Sequence, residues 1–242
     1  MKSLYWYAII ATPSDGEGIP ERWGVGLREQ PLDLVCEDGL SAVVSAWTGA
    51  AVGRTADAVD AALVLQHEQI IEAIMADVPV LPMRFGTVLA SAERIAAILG
   101  ERYMTFTGDL ARVGGCVEMG VRILWPGLPA TEAEAVPAVA ATPGAQYLQQ
   151  RLAADRQQRA ARSHGQAVAG ALDAALHGAA VDARVTVLPT ERMLLSGAYL
   201  VRRSEVAAFT TQVESLRRQQ PELAFLCTGP WPPYNFVSGG DR

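Results

Sequence analysis

The sequence predicts an α+β fold made of two domains, each with its own sheet and helices. In several short segments hydrophobic and polar residues alternate, which is typical of strands, while elsewhere hydrophobic residues recur at helical spacing. Both patterns occur in each half of the 242-residue chain, which indicates antiparallel sheets covered by helices. We expect an N-terminal α+β domain at residues 1–125, a linker rich in proline and alanine at 126–143, and a C-terminal α+β domain at 144–242.

The first half begins with an aromatic strand, Leu4 to Ala11, which ends before a turn signal that contains Pro13. Two β-like runs follow, and the Asp38-Gly39 pair between them supplies the positive φ that a tight hairpin turn requires. A helix is then expected from about Asp57 to Met75, with Thr55 as its candidate N-cap. This part of the chain is therefore expected to contain a strand, a β-hairpin and a helix.

Three further elements complete the first half. Val80 to Phe85 is interpreted as a strand at an edge or irregular position, because Pro82 lacks the N–H group that a central strand needs. Ser91 is the expected N-cap of a second helix that continues through Leu99. Cys116 to Trp125 alternates apolar and polar residues and therefore predicts a strand.

The second half opens with a long helix or helix pair from Gln146 to about His177. Between Arg151 and Arg162 this segment has four arginines and one acid, which indicates either a solvated helix face or a docking surface for an acidic partner. The pattern after it predicts two strands, a helix and a last strand at Arg184 to Leu188, Met193 to Val201, Ser204 to about Pro221, and Leu223 to Cys227.

Charge and composition exclude several classes of partner. The net charge is −6, whereas a nucleic-acid binder needs a basic surface, so we expect no nucleic-acid partner. No uninterrupted apolar stretch approaches the roughly 20 residues that span a bilayer, so we expect no membrane partner. The three cysteines form no C-x-x-C pair, and Cys36 and Cys116 fall in predicted strands, which indicates buried thiols in a reducing compartment. We therefore expect a soluble, cytoplasmic protein.

The common catalytic and cofactor motifs are incomplete. His67-Glu68 begins the H-E-x-x-H zinc pattern, but Ile71 occupies the position of the second histidine. Gly24-x-Gly26 does not continue to a dinucleotide-binding loop, because Glu29 stands where the third glycine is required. We therefore expect no catalytic residue, no metal site and no cofactor, and we interpret His67 as a hydrogen-bonded packing residue.

Two segments are unusual for physical reasons. In residues 79–87 two prolines restrict the backbone, and Arg84 interrupts an apolar strand. Arg84 is interpreted as a buried charge paired with Glu68 or Glu118, with an exposed contact as the alternative. In residues 229–236 three prolines and three aromatic residues exclude a helix and a central strand. This tail either folds back on the body of the protein or offers aromatic anchors to a partner.

Taken together, these segments resemble the gas vesicle protein GvpL/GvpF family through nearly the whole chain. The Leu-Pro-x-Arg-Phe-Gly and Gly-Pro-Trp-Pro-Pro-Tyr-x-Phe segments are the specific part of this resemblance. The stretches that carry it are Leu4 to Tyr7, Leu40 to Ser45, His67 on its helix, Val80 to Thr87, Pro143 to Leu148, Ala198 to Val201, and Thr228 to Val237.

The resemblance implies a gas vesicle accessory protein that acts as an assembly factor or a minor wall component. Its implied partners are the major gas vesicle shell protein and other gas vesicle accessory proteins, and its implied location is cytoplasmic, at the gas vesicle. It also implies a ferredoxin-like N-terminal domain, no cofactor and no catalytic residue. The residues that we expect to contact a partner are Arg84, Phe85, Trp231, Pro232, Pro233, Tyr234 and Phe236. The alternative is a small-molecule-binding or catalytic α+β protein with a pocket near His67 and Arg84.

Overall fold

A computed structural model describes residues 3–13, 18–49, 61–125, 143–190 and 192–238. It confirms the α+β class, with two antiparallel sheets and one long helix. Residues up to 118 together with those from 230 onward form one compact unit, and residues 119–229 form the other. The proposed linker lies outside the described residues except for Pro143, which begins the long helix.

Within the described residues, the first unit contains a five-stranded sheet and three helices. Its elements are β1 (Ser3–Ala11), β2 (Leu32–Glu37), β3 (Leu40–Trp47), α1 (Ala61–Asp77), β4 (Leu81–Pro82), β5 (Val88–Leu89), α2 (Ala92–Glu101) and α3 (Tyr103–Val113). The strands lie in the order β2-β3-β1-β4, and β5 pairs with the beginning of β1. Every pairing in this sheet is antiparallel. β1 is the central strand, because it pairs with β3, β4 and β5.

The hairpin between β2 and β3 forms where the sequence predicts it. Asp38 and Gly39 both have positive φ, 49° and 84°, and Glu37 pairs with Leu40 across the turn. This is the geometry of a tight two-residue turn, whose twist matches that of the strands. The turn therefore sets the register of the whole hairpin.

The central strand β1 is buried at every position from Tyr5 to Ile10. Its register against β3 shifts between Trp6 and Ala8, so that Tyr7 forms a bulge. Tyr5 and Tyr7 both join the core of the first unit, which also contains Ile71 from α1. On the β4 side of β1, the main-chain carbonyl of Tyr7 accepts a hydrogen bond from the amide of Met83 at 2.8 Å, which holds Met83 beside β1.

The described residues of the second unit contain most of a four-stranded sheet and two α-helices. The remaining elements are β6 (Cys116–Leu124), α4 (Pro143–His177), β7 (Asp182–Thr190), β8 (Met193–Arg202), α5 (Val206–Gln219) and β9 (Ala224–Trp231). The strand order is β7-β8-β6-β9, so β7 and β9 are the edge strands. The core lies between this sheet and the helices, and Leu172, Leu176 and Phe209 are among its buried residues.

Several expectations need correction. The strand expected at Val80 to Phe85 is reduced to β4, because the chain turns where the Thr87 amide donates to the Arg84 carbonyl at 3.1 Å. Cys36 is exposed, not buried, since β2 is an edge strand of its sheet. Of the two alternatives for the segment after residue 143, a long helix or a helix pair, the structure shows one long helix. Thr55 and the expected start of α1 at Asp57 lie outside the described residues.

The tail is placed differently from our expectation. We assigned it to the second domain, but residues from 230 onward are grouped with the first unit. Gly229, Pro230 and Trp231 end the edge strand β9, and a short 3-10 turn follows at Tyr234–Phe236. An edge strand tolerates proline because one of its sides has no ladder to complete. Among the described helices, none combines the length and the apolar character needed to cross a membrane.

Candidate functional site

A chain of hydrogen bonds surrounds His67 in the core of the first unit. The Gly86 amide donates to the Tyr5 hydroxyl at 2.9 Å, and this hydroxyl lies 3.1 Å from His67 Nδ1. His67 Nε2 lies 3.1 Å from the Met83 carbonyl oxygen, which can only accept. The proton of the neutral ring is therefore assigned to Nε2, and Nδ1 accepts from Tyr5.

Burial controls the charge of this histidine. The imidazole is fully buried, and burial lowers the pKa of His67 to about 4. The ring is consequently neutral at pH 7, in agreement with the hydrogen bonds at its two nitrogens. The Tyr7 and Phe85 rings also pack against it, at centroid distances of 5.8 and 5.7 Å. These contacts confirm the interpretation of His67 as a hydrogen-bonded packing residue.

Three carboxylates of the first unit hold the C-terminal segment, which we define as residues 232–238. Glu68 accepts from the Tyr234 hydroxyl at 2.9 Å. Glu118 accepts from the main-chain amide of Asn235 at 2.9 Å and from its side-chain amide at 2.6 Å. Asp109 accepts from the amide and the hydroxyl of Ser238, at 2.6 and 2.9 Å. The segment is therefore attached at three successive points.

Both a neighbouring arginine and burial act on these carboxylates. Arg112 donates to the Phe236 carbonyl at 2.5 Å and pairs with Asp109 at 2.6 Å. Burial raises the pKa of Glu118, while the hydrogen bonds from Asn235 act in the opposite direction. Burial also raises the pKa of Glu68, and the nearby Glu72 adds to this effect. These polar groups of the site therefore bind the C-terminal segment of the same chain.

The structure separates the expected contact residues into two groups. Trp231 is 43% exposed and Arg84 is exposed, so both are accessible to a partner. Pro232, Pro233 and Phe236 are buried, while Tyr234 and Phe85 are half-buried against the core. The tail thus folds back on the first unit, and its buried members support the fold.

Arg84 is not the buried charge that we favoured. Its side chain is exposed, and Glu68 and Glu118, the two carboxylates considered as its partners, bind Tyr234 and Asn235 instead. The reason is the turn after β4, which carries Arg84 out of the sheet. Arg84 is therefore an exposed residue, and its role as a contact for a partner stays a prediction.

Sequence reasoning missed most of the groups that complete this cluster. Tyr5 and Tyr7 are two residues apart on β1, and this spacing is the signal for side chains on the same face of a strand. Asp109, Asn235 and Ser238 carry no such signal, because their partners are more than a hundred residues away along the chain. Only the folded chain brings them together.

A separate cleft of about 480 Å³ lies in the first unit between the strands β1, β2 and β3 and the start of α2. Neither His67 nor Arg84 contributes to its walls, which are formed by Leu4, Asp33, Leu34, Val35, Val44, Ser91, Ala92 and Glu93. Across the described ranges, no group of three or more histidine, cysteine, aspartate or glutamate side chains is placed to hold a metal ion.

The fold and the site define an α+β protein whose buried polar cluster binds its own C-terminal segment. The family described as "Gas vesicle synthesis protein GvpL/GvpF" matches residues 3–238, and the chain belongs to this family. The family consists of gas vesicle structural and accessory proteins, which supports an accessory role in gas vesicles.

Several relatives match along almost their whole length. Gas vesicle protein F2 of Halobacterium salinarum is 27% identical over 237 residues, which cover 97% of this chain and 91% of that protein. Gas vesicle protein F1 of the same organism is 29% identical over 241 residues, covering 98% and 93%. Gas vesicle protein F of a Streptomyces species is 25% identical over 251 residues, covering 97% and 99%.

Two solved structures have the same fold. The crystal structure of gas vesicle protein GvpF from Anabaena superposes with a TM-score of 0.75 at 20% identity, covering 100% of this chain and 98% of that one. GvpF from Microcystis aeruginosa gives a TM-score of 0.72 at 19% identity, covering 98% and 99%. The architecture is therefore shared over the full chain.

Proposed function

We propose that this protein is a gas vesicle assembly factor that binds the hydrophobic shell protein and other accessory proteins in the cytoplasm. The observation that carries the proposal is the family match through residues 3–238, together with relatives that are named gas vesicle proteins F and L. We further propose that it acts by binding and not by catalysis. His67, the best candidate for a catalytic base, is fully buried and has hydrogen bonds at both ring nitrogens.

The physical reason for such a factor lies in the shell protein. A subunit that presents an apolar face to gas exposes that face to water before assembly, and an exposed apolar surface aggregates. A soluble partner that covers this face keeps the subunit available for assembly. Covering it requires accessible apolar or aromatic groups on the factor.

Trp231 is our first candidate for such a contact. It is exposed at the end of the edge strand β9, and tryptophan is among the residues that contribute most to binding energy at protein interfaces. Arg84 is the second, since arginine is also frequent among such residues and its side chain is exposed. Tyr234 and Phe236 are better explained by their contacts within the fold.

The direct experiment is co-expression of this chain with the major gas vesicle shell protein, followed by purification of the soluble fraction through a tag on this chain. Saturable recovery of the shell protein supports the proposal. If the folded, monodisperse chain recovers neither the shell protein nor any accessory protein, the proposal is wrong.

Two variants test whether Trp231 lies in the contact with the shell protein. Trp231→Ala removes an exposed side chain and is expected to weaken recovery of the shell protein about tenfold. Met104→Ala, which shortens a side chain that is 80% exposed, is the matched control and is expected to change little. Equal recovery with both variants and the wild type would exclude Trp231 from the contact.

An assembly factor and a minor wall component differ in their abundance in finished vesicles. A factor is lost when isolated vesicles are washed, whereas a wall component remains at a fixed ratio to the shell protein. Quantitative mass spectrometry of washed vesicles therefore distinguishes the two roles. We expect loss on washing, since nothing about the assembly role requires the chain in the finished wall.

A further inference from the structure

The first half of α4 is mostly exposed. Every side chain from Gln146 to Arg156 is exposed, and Gln157 is the first that is half-buried. The second half is different, because Ala169, Leu172 and Leu176 are buried in the core of the second unit. Residues 146–160 therefore form a helical segment of about 22 Å that the core does not explain.

Two large apolar residues lie on one side of this segment. Leu148 and Leu152 are 60% and 54% exposed, and residues four apart lie above one another on a helix. Arg156 and Arg159 continue the same row, since all four positions fall within about 80° around the helix axis. We call these four residues the Leu-Arg face.

The Leu-Arg face points away from the side by which α4 packs. At about 100° per residue, Leu152 lies nearly opposite the row that contains Ala161 and Leu172. Ala161 and Leu172 are buried, whereas Leu152 is exposed. Contact with the core of the second unit therefore leaves this face uncovered.

The segment is positively charged, whereas the whole chain is negatively charged. Residues 146–162 contain four arginines and one acid, Asp155, in a chain whose net charge is −6. Asp155 is already engaged, since it pairs with Arg159 of the next turn at 2.7 Å. A contact surface that is both basic and apolar is complementary to an acidic, amphipathic partner.

A purely solvated helix does not account for the leucines. A helix that only meets water is expected to be polar all round, and a short isolated helix in water is only marginally stable. Two leucines one turn apart, followed by two arginines, instead form the pattern of a helix that docks on another helix through a short apolar ridge.

We propose that the Leu-Arg face binds an amphipathic helix of a gas vesicle protein whose contacting side carries apolar residues next to carboxylates. This inference rests on the proposed function and names the chemistry of the partner at one surface. A second copy of the segment is a poorer occupant, because it carries four arginines and one carboxylate, so that two copies repel each other.

The test uses the full chain, co-expressed with the major shell protein and with each other gas vesicle protein in turn. Leu148→Ser with Leu152→Ser removes the apolar ridge, and Arg156→Glu with Arg159→Glu reverses the charges beside it. Leu65→Ser is the apolar control, since Leu65 is likewise 60% exposed but lies on α1. Circular dichroism checks that each variant keeps its helix content.

Arg151→Glu with Arg162→Glu is the control for charge. It changes the net charge by the same amount, but both residues lie roughly 80–100° around the helix from Leu152. We expect either double change in the Leu-Arg face to weaken one complex about tenfold or more, while both controls stay within about twofold of the wild type. Reversal of the partner's carboxylates to lysine is expected to restore binding of the Arg156→Glu, Arg159→Glu variant.

Each other outcome contradicts the inference. If a complex forms and both face variants bind as the wild type does, the Leu-Arg face is not the contact, although the proposed function stands. If the wild-type chain is a dimer that Leu148→Ser with Leu152→Ser dissociates, the occupant is a second copy. If no gas vesicle protein binds the wild-type chain, the proposed function fails and this inference fails with it.

Discussion

His67 couples the stability of the first unit to pH. Its pKa in the folded protein is about 4, below the value of 6.5 for an exposed histidine, because the ring is buried. Between these two values the unfolded chain binds a proton that the folded chain does not. The contribution of neutral His67 is therefore fully present above pH 6.5 and is lost as the pH falls towards 4.

We expect His67→Gln to reduce this acid sensitivity. Between pH 7 and pH 5 the wild type loses about 2 kcal/mol of unfolding free energy through His67, and the variant lacks this loss although it is less stable at pH 7. Urea denaturation at the two pH values measures the difference. His164→Gln, at an exposed position, is the control and keeps the wild-type pH dependence. A His67→Gln variant with the same pH dependence as the wild type would contradict this assignment.

Glu68 and Glu118 act in the opposite direction. Burial raises the pKa of each carboxyl above that of an exposed glutamate, so the folded chain binds protons more readily than the unfolded chain. Their contribution is present at acid pH and falls as the pH rises through the raised pKa. These two carboxyls therefore offset part of the stability that His67 loses in acid.

An isosteric change at Glu118 tests whether this residue holds the C-terminal segment. Glu118→Gln keeps one acceptor for one donor of Asn235 but turns its amide N–H groups towards the other donor. We expect a loss of about 1–3 kcal/mol of unfolding free energy at pH 7, measured by urea denaturation. Glu214→Gln, which removes an exposed carboxylate, is expected to cost less than about 0.5 kcal/mol. Equal stability of the two variants would show that Glu118 does not hold the segment.

At the scale of elements, the β2–β3 hairpin depends on backbone conformation more than on contacts. Gly39 has a φ of 84°, and a Cβ added there meets nothing within 4 Å. The left-handed conformation alone therefore makes glycine preferable at this position.

We expect Gly39→Ala to lower the unfolding free energy by about 1–2 kcal/mol through this conformational cost. Gly18→Ala is the matched control, because a Cβ there also meets nothing within 4 Å but its φ is not in the left-handed region. Thermal denaturation of both variants measures the difference. A Gly39→Ala variant as stable as Gly18→Ala would mean that the turn has another conformation in solution.

The C-terminal segment shows how an element without regular structure becomes part of a core. Its prolines stiffen the chain, so that little conformational entropy is lost on ordering. Phe236 is 1% exposed, and Tyr234 packs against the first core. Glu118 and Asp109 accept from the main-chain amides of Asn235 and Ser238, which have no strand partner, and Glu68 accepts from the Tyr234 hydroxyl.

At the scale of the whole molecule, the two compact units have different core clusters. One contains Ile71 and the other Phe209, and both residues are fully buried. Phe209 also contacts the Tyr199 ring, with centroids 5.5 Å apart. Each core is expected to stabilise its own strands and helices.

Hydrogen exchange tests this independence. Ile71→Val removes one methylene, and Phe209→Leu removes an aromatic contact, each at about 1 kcal/mol. We expect Ile71→Val to lower protection mainly in β1 and α1, and Phe209→Leu to lower it mainly in β8 and α5. Mass spectrometry of the exchanged peptides resolves these elements. A uniform loss of protection with either variant would mean that the chain opens as a single cooperative unit.

The sequence alone was sufficient for properties that depend on neighbouring residues. The β2–β3 hairpin follows from Asp38-Gly39, the start of α2 from Ser91, and the strand β6 from its alternation. The α+β class follows from these patterns, and the family resemblance follows from the segments at residues 80–87 and 228–237. Turns, caps and periodicity act over a few residues, so they can be recognised before the chain is folded.

Tertiary structure alone decided how the polar groups are paired. Arg84 is exposed and Glu118 binds Asn235, although 117 residues separate the latter two. The tail joins the first unit for the same reason, since its partners are carboxylates on α1, α3 and β6. Hydrogen bonds between distant residues depend on which surfaces the fold brings together, and no local pattern in the sequence records that choice.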